Sequence, residues 1–302
     1  MNEPSLTRCG FIAVLGAPNA GKSTLVNAIV GTKVSIVTHK VQTTRGRVMG
    51  IRIVENDQIV FVDTPGIFTP KKKLERAMVD AAWTGANDAD LALLLVDAAA
   101  GMSADLELIL SKLKASGRKV LIAINKIDAV PKEKLLPLAA LIDASGAAEE
   151  ILYISALKGH GLDELITTLR SRIKPGPWMF PEDQVSDMPM RNLAAEITRE
   201  KLFLRVHQEL PYALAVETEM WTEIPEEGAV RIDQVIYVAR DGHKPIILGK
   251  KGQAIKEVGI AARKELEDIL GMRVHLFLHV KVRPNWLNDP ARYREMGLEF
   301  PR

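Results

Sequence analysis

Gly16-Ala17-Pro18-Asn19-Ala20-Gly21-Lys22-Ser23 stands between the apolar run Phe11–Leu15 and the helical stretch Thr24–Val30. The pattern is GxxxxGK[ST], and its chemistry needs each residue type. Glycines let backbone N–H groups turn inward around phosphate oxygens, a lysine such as Lys22 reaches the terminal phosphates, and the Ser23 hydroxyl can ligate magnesium. Such a loop works where a strand feeds it and a helix N-terminus follows, because the helix end adds N–H donors and a positive dipole. Both flanks are present, which argues against an incidental glycine-rich turn.

Outward from the loop, short apolar runs recur at Ile59–Val62, Leu91–Val96, Val120–Ile124 and Ile151–Ile154, each closed by a polar turn. Continuous Val, Ile and Leu mark strands buried on both faces, with covering helices between them. The expected architecture over residues 1–174 is therefore a doubly wound α/β domain with a mostly parallel sheet. Residues 174–187 read KPGPWMFPEDQVSD, whose three prolines cannot continue a helix, so residues 175–187 are expected to be a connector. Beyond it the grammar changes. A helix is expected at 191–209, alternating runs at 214–220 and 234–240, a helix at 252–270 and a strand at 274–282, an α+β domain over residues 188–302.

The 302 residues suit two domains, and 47% hydrophobic with 26% charged residues excludes disorder and fibrous repeats. The net charge of +2 taken alone argues against a strongly basic nucleic-acid binder. Cys9 is the single cysteine, so no internal disulfide or cysteine metal site is expected, and it reads as a small buried hydrophobe. Residues 1–8 carry charges and a proline before any apolar run, and no segment approaches 18 uninterrupted apolar residues. A cytoplasmic location is expected, with peripheral attachment to the inner membrane left open.

Three further motifs sit at the ends of the apolar runs. Asp63-Thr64-Pro65-Gly66 places a carboxylate where it can hold magnesium and an amide where it can sense a terminal phosphate. Alone it would be an ordinary turn; forty residues after a phosphate-binding loop it has a role. Asn125-Lys126-Ile127-Asp128 closes another run, and Ser155-Ala156-Leu157 follows the last. An aspartate beside a purine edge accepts hydrogen bonds from the guanine N1–H and exocyclic amine, which adenine does not offer there, so Asp128 selects GTP over ATP.

In order and spacing, Gly16–Ser23, Thr43/Thr44, Asp63–Gly66, Asn125–Asp128 and Ser155–Leu157 resemble the translation-factor-related GTPases. The stretch Lys33–Arg45 is similar to the first switch of the bacterial Era family. That resemblance implies that Thr44 becomes a second magnesium ligand beside Ser23 and Asp63, and that residues 33–46 and 64–75 change order between the GTP and GDP states. Ras-type enzymes orient the attacking water with a glutamine directly after the DxxG glycine. Here that position is Ile67, as is typical of the resembled family, and slow intrinsic turnover is expected. In related GTPases an asparagine at the position of Asn19 helps to hold a potassium ion between phosphates, so the catalytic set is expected to be Lys22, Asn19 and Thr44.

In the second half, Pro245-Ile246-Ile247-Leu248-Gly249-Lys250-Lys251-Gly252-Gln253-Ala254-Ile255 follows a strand and opens a helix. A GxxG turn admits a nucleic-acid backbone closely, its two lysines meet phosphates, and the adjoining helix and strand form an apolar groove for unstacked bases. GKKG alone is also a common solvated turn. With its apolar flanks it resembles a type II KH module, with Ile247, Gly249, Lys250, Lys251, Gly252, Ile255 and Lys256 as the expected RNA-binding residues. The resemblance to Era-type proteins implies a monomer that binds single-stranded RNA near the 3′ end of the small-subunit (16S) ribosomal RNA and assists assembly of the 30S subunit. The rival reading is a constitutive RNA-binding protein with a structural nucleotide site.

The charge can now be read locally. Residues 240–283 carry a net +5 and residues 182–233 a net −7, so the near-neutral total conceals a basic segment around the GKKG turn. Unlike potentials side by side steer a polyanion to one face; an even scatter over the surface is the alternative. Trp83, Trp178, Trp221 and Trp286 are expected to be packing anchors, and His39 and His243 loop residues.

Overall fold

The computed structural model describes residues 7–40, 43–206, 214–284, 286 and 289–301. It divides into two compact units: residues 1–35, 44–187 and 293–302 form the first, and residues 36–43 and 188–292 the second. The 175–187 connector thus groups with the first unit, as do the last ten residues of the span expected to be the second domain.

In the first unit six strands run in the order β2-β3-β1-β4-β5-β6. These are β1 (Arg8–Gly16), β2 (Val48–Val54), β3 (Asp57–Asp63), β4 (Leu91–Asp97), β5 (Val120–Asn125) and β6 (Ala148–Tyr153). All neighbours are parallel except β2 and β3, an antiparallel pair. The strands are near-continuously apolar because helices cover both faces. Ile12, Val14, Phe61 and Leu93 pack toward α1 (Lys22–Val30) and α5 (Leu162–Arg170). Ala13, Leu15, Leu94 and Ile122 pack toward α2 (Lys73–Asp88), α3 (Ala104–Ala115) and α4 (Leu135–Ala144).

Strand β2 was not expected from the sequence, because Gly50 and Arg52 break its apolar run and it lies at the sheet edge. An open edge invites mispairing, and the proline-rich connector covers this one. Ile51 N–H donates to the Val185 carbonyl at 2.9 Å, the Ser186 hydroxyl to the Met49 carbonyl at 2.8 Å, and Met49 N–H to the Asp187 carboxylate at 2.8 Å. Gln58, fully buried, accepts from Met179 N–H and Phe180 N–H.

The second unit carries a three-stranded sheet, β7 (Leu214–Ile224), β8 (Ala229–Val238) and β9 (Arg273–Val282), in that order, with β7 antiparallel and β9 parallel to β8. One face packs on α6 (Met190–Arg205), α7 (His243–Leu248) and α8 (Gln253–Leu270) through Leu202, Phe203, Ile236, Val258, Ile197, Ile232, Ala262 and Leu266. Residues 207–209, the end of the helix expected at 191–209, lie outside the described residues. A last helix, α9 (Pro290–Glu295), follows.

Val37, Lys40 and Thr43, which group with this unit, dock on α6 and its C-terminal end. Lys40 Nζ donates to the Phe203 and Val206 carbonyls, satisfying orphan acceptors at the helix end. Val37 N–H donates to the Glu200 carboxylate at 2.8 Å, and the Arg199 guanidinium to the Thr43 carbonyl at 2.5 Å. Val41 and Gln42 of the resembled first switch lie outside the described residues. Among the described residues no helix is long and apolar enough to cross a membrane, and no group of three His, Cys, Asp or Glu could hold a metal.

Candidate active site and nucleic-acid interface

Strand β1 delivers the chain into the phosphate loop and α1 begins at Lys22, as the motif requires. Gly21 has φ 97°, and a Cβ there would lie 2.4 Å from the Asn125 side-chain nitrogen, so only glycine fits. Lys22 is buried, its Nζ donating to the carbonyls of Gly16 and Ala17 at 3.2 and 3.0 Å. Burial lowers its pKa to about 8 against the opposing charge of Asp63. Asn19 is exposed on the loop with φ 61°, while Ala20 is buried. Gly66 approaches the loop from the other side, a Cβ there meeting Pro18 at 3.0 Å.

Ser23, Thr44 and Asp63 converge. The Ser23 hydroxyl donates to Asp63 Oδ2 at 2.7 Å and stands 3.0 Å from the Thr44 hydroxyl, which donates to the same carboxylate oxygen at 3.3 Å. Two hydroxyls and one carboxylate form a hard-oxygen set that suits magnesium, which keeps waters and phosphate oxygens for its remaining positions. Burial pushes the Asp63 carboxyl up, against the pull of Ser23 and Lys22. Thr64 is structural, its hydroxyl donating to the Val14 carbonyl at 2.7 Å, and Pro65 is buried. Ile67 is fully buried in the core under α2, so its side chain does not face the phosphate loop.

The base-recognition residues meet at the ends of β5 and β6. Asn125 is buried and ties two loops together: its amide donates to the Ala20 carbonyl and its oxygen accepts from Ala156 N–H, both at 2.9 Å. Lys126 has φ 64° and its Nζ donates to the Asn19 carbonyl at 2.7 Å. Asp128 is exposed, and the Ser155 hydroxyl donates to it at 2.5 Å, holding its carboxyl below the usual range. Ser155 and Ala156 are buried, whereas Leu157 is exposed.

In the second unit, Gly249–Gly252 joins α7 to α8. Gly249 has φ 70°, and a Cβ there would sit 2.5 Å from that of Ala254. Lys250 and Lys251 are exposed, Lys251 at φ 52°. Beside the turn, α8 and β9 enclose a groove of about 420 Å³ lined by Ile255, Lys256, Ile260, Arg263, Leu276 and Leu278. Ile247 does not reach it. It is 1% exposed and packs within the core. The two charged segments interleave: Arg205 pairs with Glu257, Lys201 with Glu265, and Lys281 with Glu219. Exposed positive charge remains where Lys250, Lys251, Lys256 and Arg263 surround the turn and groove.

Residues 11–126 match the family model described as 50S ribosome-binding GTPase, and residues 209–287 that of the KH domain. GTPase Era of Agrobacterium fabrum is 60% identical over 296 residues, covering 98% of this chain and 93% of that protein. The chain belongs to the Era family of GTPases. GTP hydrolysis is its activity. A crystal structure of Era in complex with MgGDPNP and nucleotides 1506–1542 of 16S ribosomal RNA matches with a TM-score of 0.91 and 43% identity, covering 96% of this chain and 99% of that one. An Aquifex aeolicus Era variant bound to GDP and AlF4⁻ matches with a TM-score of 0.90 at the same identity and coverage.

Within this Era-family fold, sequence reading missed several elements of the sites. The Ser155–Asp128 hydrogen bond and the Asn125 clasp depend on loops brought together by the parallel sheet, which spacing alone does not reveal. Arg263 and Ile260 were the legible omission: they follow Lys256 at i+7 and i+4, the same face of one helix. Trp286, expected as a packing anchor, is 2% exposed. Cys9 is only partly buried, its thiol directed at the Gln58 oxygen at 3.6 Å.

Proposed function

We propose that this GTPase binds single-stranded RNA near the 3′ end of 16S ribosomal RNA through the Gly249–Gly252 turn and its groove, and assists assembly of the 30S subunit. The observation that carries this reading is a guanine-nucleotide site in one unit and, in the other, an open apolar groove ringed by Lys250, Lys251, Lys256 and Arg263. Ser23, Thr44 and Asp63 would hold the magnesium that accompanies the nucleotide, which when bound would supply positive charge to the terminal phosphates. Lys22 contributes a second positive charge there, while the backbone of Gly16–Ser23 orients the phosphates.

With Ile67 buried, no side chain directly after Gly66 orients the attacking water, and slow intrinsic hydrolysis follows. Asn19, exposed on the phosphate loop, would help to hold an activating potassium ion; equal hydrolysis rates in K⁺ and Na⁺ at matched ionic strength would refute that role. The nucleotide state reaches the RNA-binding unit along the chain itself, because Val37, Lys40 and Thr43 dock on α6 and its C-terminal end and the next residue is Thr44. Coupling of this kind is worth about 1–3 kcal/mol. The protein works as a cytoplasmic monomer in this reading. Footprinting on 16S ribosomal RNA with a GTP analogue and with GDP tests it: protection near the 3′ end that differs between the two supports a switch. Equal protection favours a constitutive RNA binder, and no protection overturns the RNA assignment.

A further inference from the structure

Asp97 lies outside every motif that reads the nucleotide, yet its carboxylate ends in the middle of the site. It is the last residue of β4, and the parallel register sets it opposite Asn125, the last residue of β5. Its side chain therefore stands one residue from Lys126. Asp97 Oδ1 accepts from Ala99 N–H at 2.9 Å, fixing the carboxylate plane, and Oδ2 accepts from Lys126 Nζ at 2.6 Å. The same ammonium donates to the Asn19 carbonyl at 2.7 Å.

Lys126 and Asn19 are two of the four non-glycine residues with positive φ among the described residues, at 64° and 61°. Left-handed backbone at such residues persists where surrounding contacts over-determine it. Here those contacts converge on one ammonium. A lysine stem is flexible and its ammonium is a point charge without directional preference, so it needs a second fixed acceptor to aim it. The carboxylate of Asp97, itself held by Ala99, is that acceptor.

We infer that Asp97 is a positioning residue for nucleotide binding: it aims Lys126 so that one ammonium clasps the phosphate loop to the base-recognition loop. The inference rests on the reading of Lys126 as part of the nucleotide site. Asp97→Asn is the informative variant, because the amide oxygen still accepts from Ala99 while the amide nitrogen cannot accept from an ammonium.

The experiment measures release of fluorescent GDP, with magnesium, from the full-length protein and from Asp97→Asn, Lys126→Ala and the double variant. Asp97→Asn is expected to speed release about tenfold, the size of one charge-assisted hydrogen bond lost from a partly buried pair. Added to Lys126→Ala it is expected to change release by less than about twofold, as partners in one interaction behave. KM for GTP rises with kcat held, and the preference for guanine over xanthine nucleotides stays, because Asp128 is untouched.

The same acceleration in both backgrounds overturns the inference, as does normal release from Asp97→Asn. If Lys126→Ala itself releases GDP normally, the reading of Lys126 fails instead. Should Asp97→Asn not fold, Asp97→Ser is run through the same cycle. Misfolding of both beside a folded Lys126→Ala makes Asp97 structural and overturns the inference.

Discussion

Replacing Lys250 and Lys251 together by alanine removes two ammonium groups from the turn between α7 and α8 and little else. Both side chains are exposed, so no core contact is lost. Lys251 already holds φ 52° as a non-glycine residue, so alanine adds no new backbone strain there. The magnitude follows from counterion release: for single strands log K falls with log salt by about 0.7 per phosphate neutralised, so losing two contacts lowers the slope by about 1.4. At 0.1 M salt that corresponds to about 25-fold weaker RNA binding, or about 1.9 kcal/mol, shrinking to about fivefold at 0.3 M.

The assay is fluorescence anisotropy of a labelled single strand from the 3′ end of 16S ribosomal RNA, titrated at several salt concentrations with nucleotide saturating. Hydrolysis without RNA is the control and should be unchanged, since the turn lies in the other unit from the nucleotide site. A slope equal to that of the unmodified protein would refute the assignment of these lysines to phosphates, whatever happened to affinity. A deficit that did not narrow with salt would point instead to a distorted groove.

Three further outcomes are expected. Asn125→Ala strands the Ala20 carbonyl and the Ala156 N–H, two buried partners at about 1–2 kcal/mol each, so GDP should bind roughly 30- to 1000-fold more weakly by calorimetry; less than tenfold would mean that the clasp does not shape the site. Asp128→Asn replaces an acceptor with an amide, and competition binding should then favour xanthosine over guanosine nucleotides; retained guanosine preference would remove Asp128 from base recognition. Burial alone would raise the Asp57 carboxyl, but hydrogen bonds and charge from Arg8 and Arg170, at 2.6 and 2.7 Å, hold it below the ordinary value. Its native pKa being depressed, its stabilisation is present above about pH 4 and lost as pH falls through the native value. Asp57→Asn should therefore lower Tm near neutrality and flatten its fall below pH 4, and parallel Tm curves for the two proteins would contradict this.

How much of this was legible depends on whether a residue's partner is local in sequence. The phosphate loop was, because its strand, glycines and helix start are contiguous, and the buried parallel strands announce themselves by uninterrupted Val, Ile and Leu. The antiparallel edge strand Val48–Val54 was not, since its pairing partner supplies what its broken apolar pattern lacks. The connector hid its role for the same reason: prolines said that it was not a helix, but only the fold reveals Val185, Ser186 and Asp187 covering that edge. Ile247 shows the limit from the other side. An apolar residue two positions before a GxxG turn reads equally well as groove wall or as core, and only the placement of α7 against β8 and β9 decides for the core. Asp97 is the sharpest case. Nothing in Leu-Val-Asp-Ala distinguishes a strand-ending aspartate from one that aims a lysine twenty-nine residues away, until the register of β4 on β5 sets the two side by side. In a parallel sheet, functional groups gather at the carboxyl ends of strands distant in sequence. Motifs therefore locate the residues that touch the ligand, and register locates those that hold them.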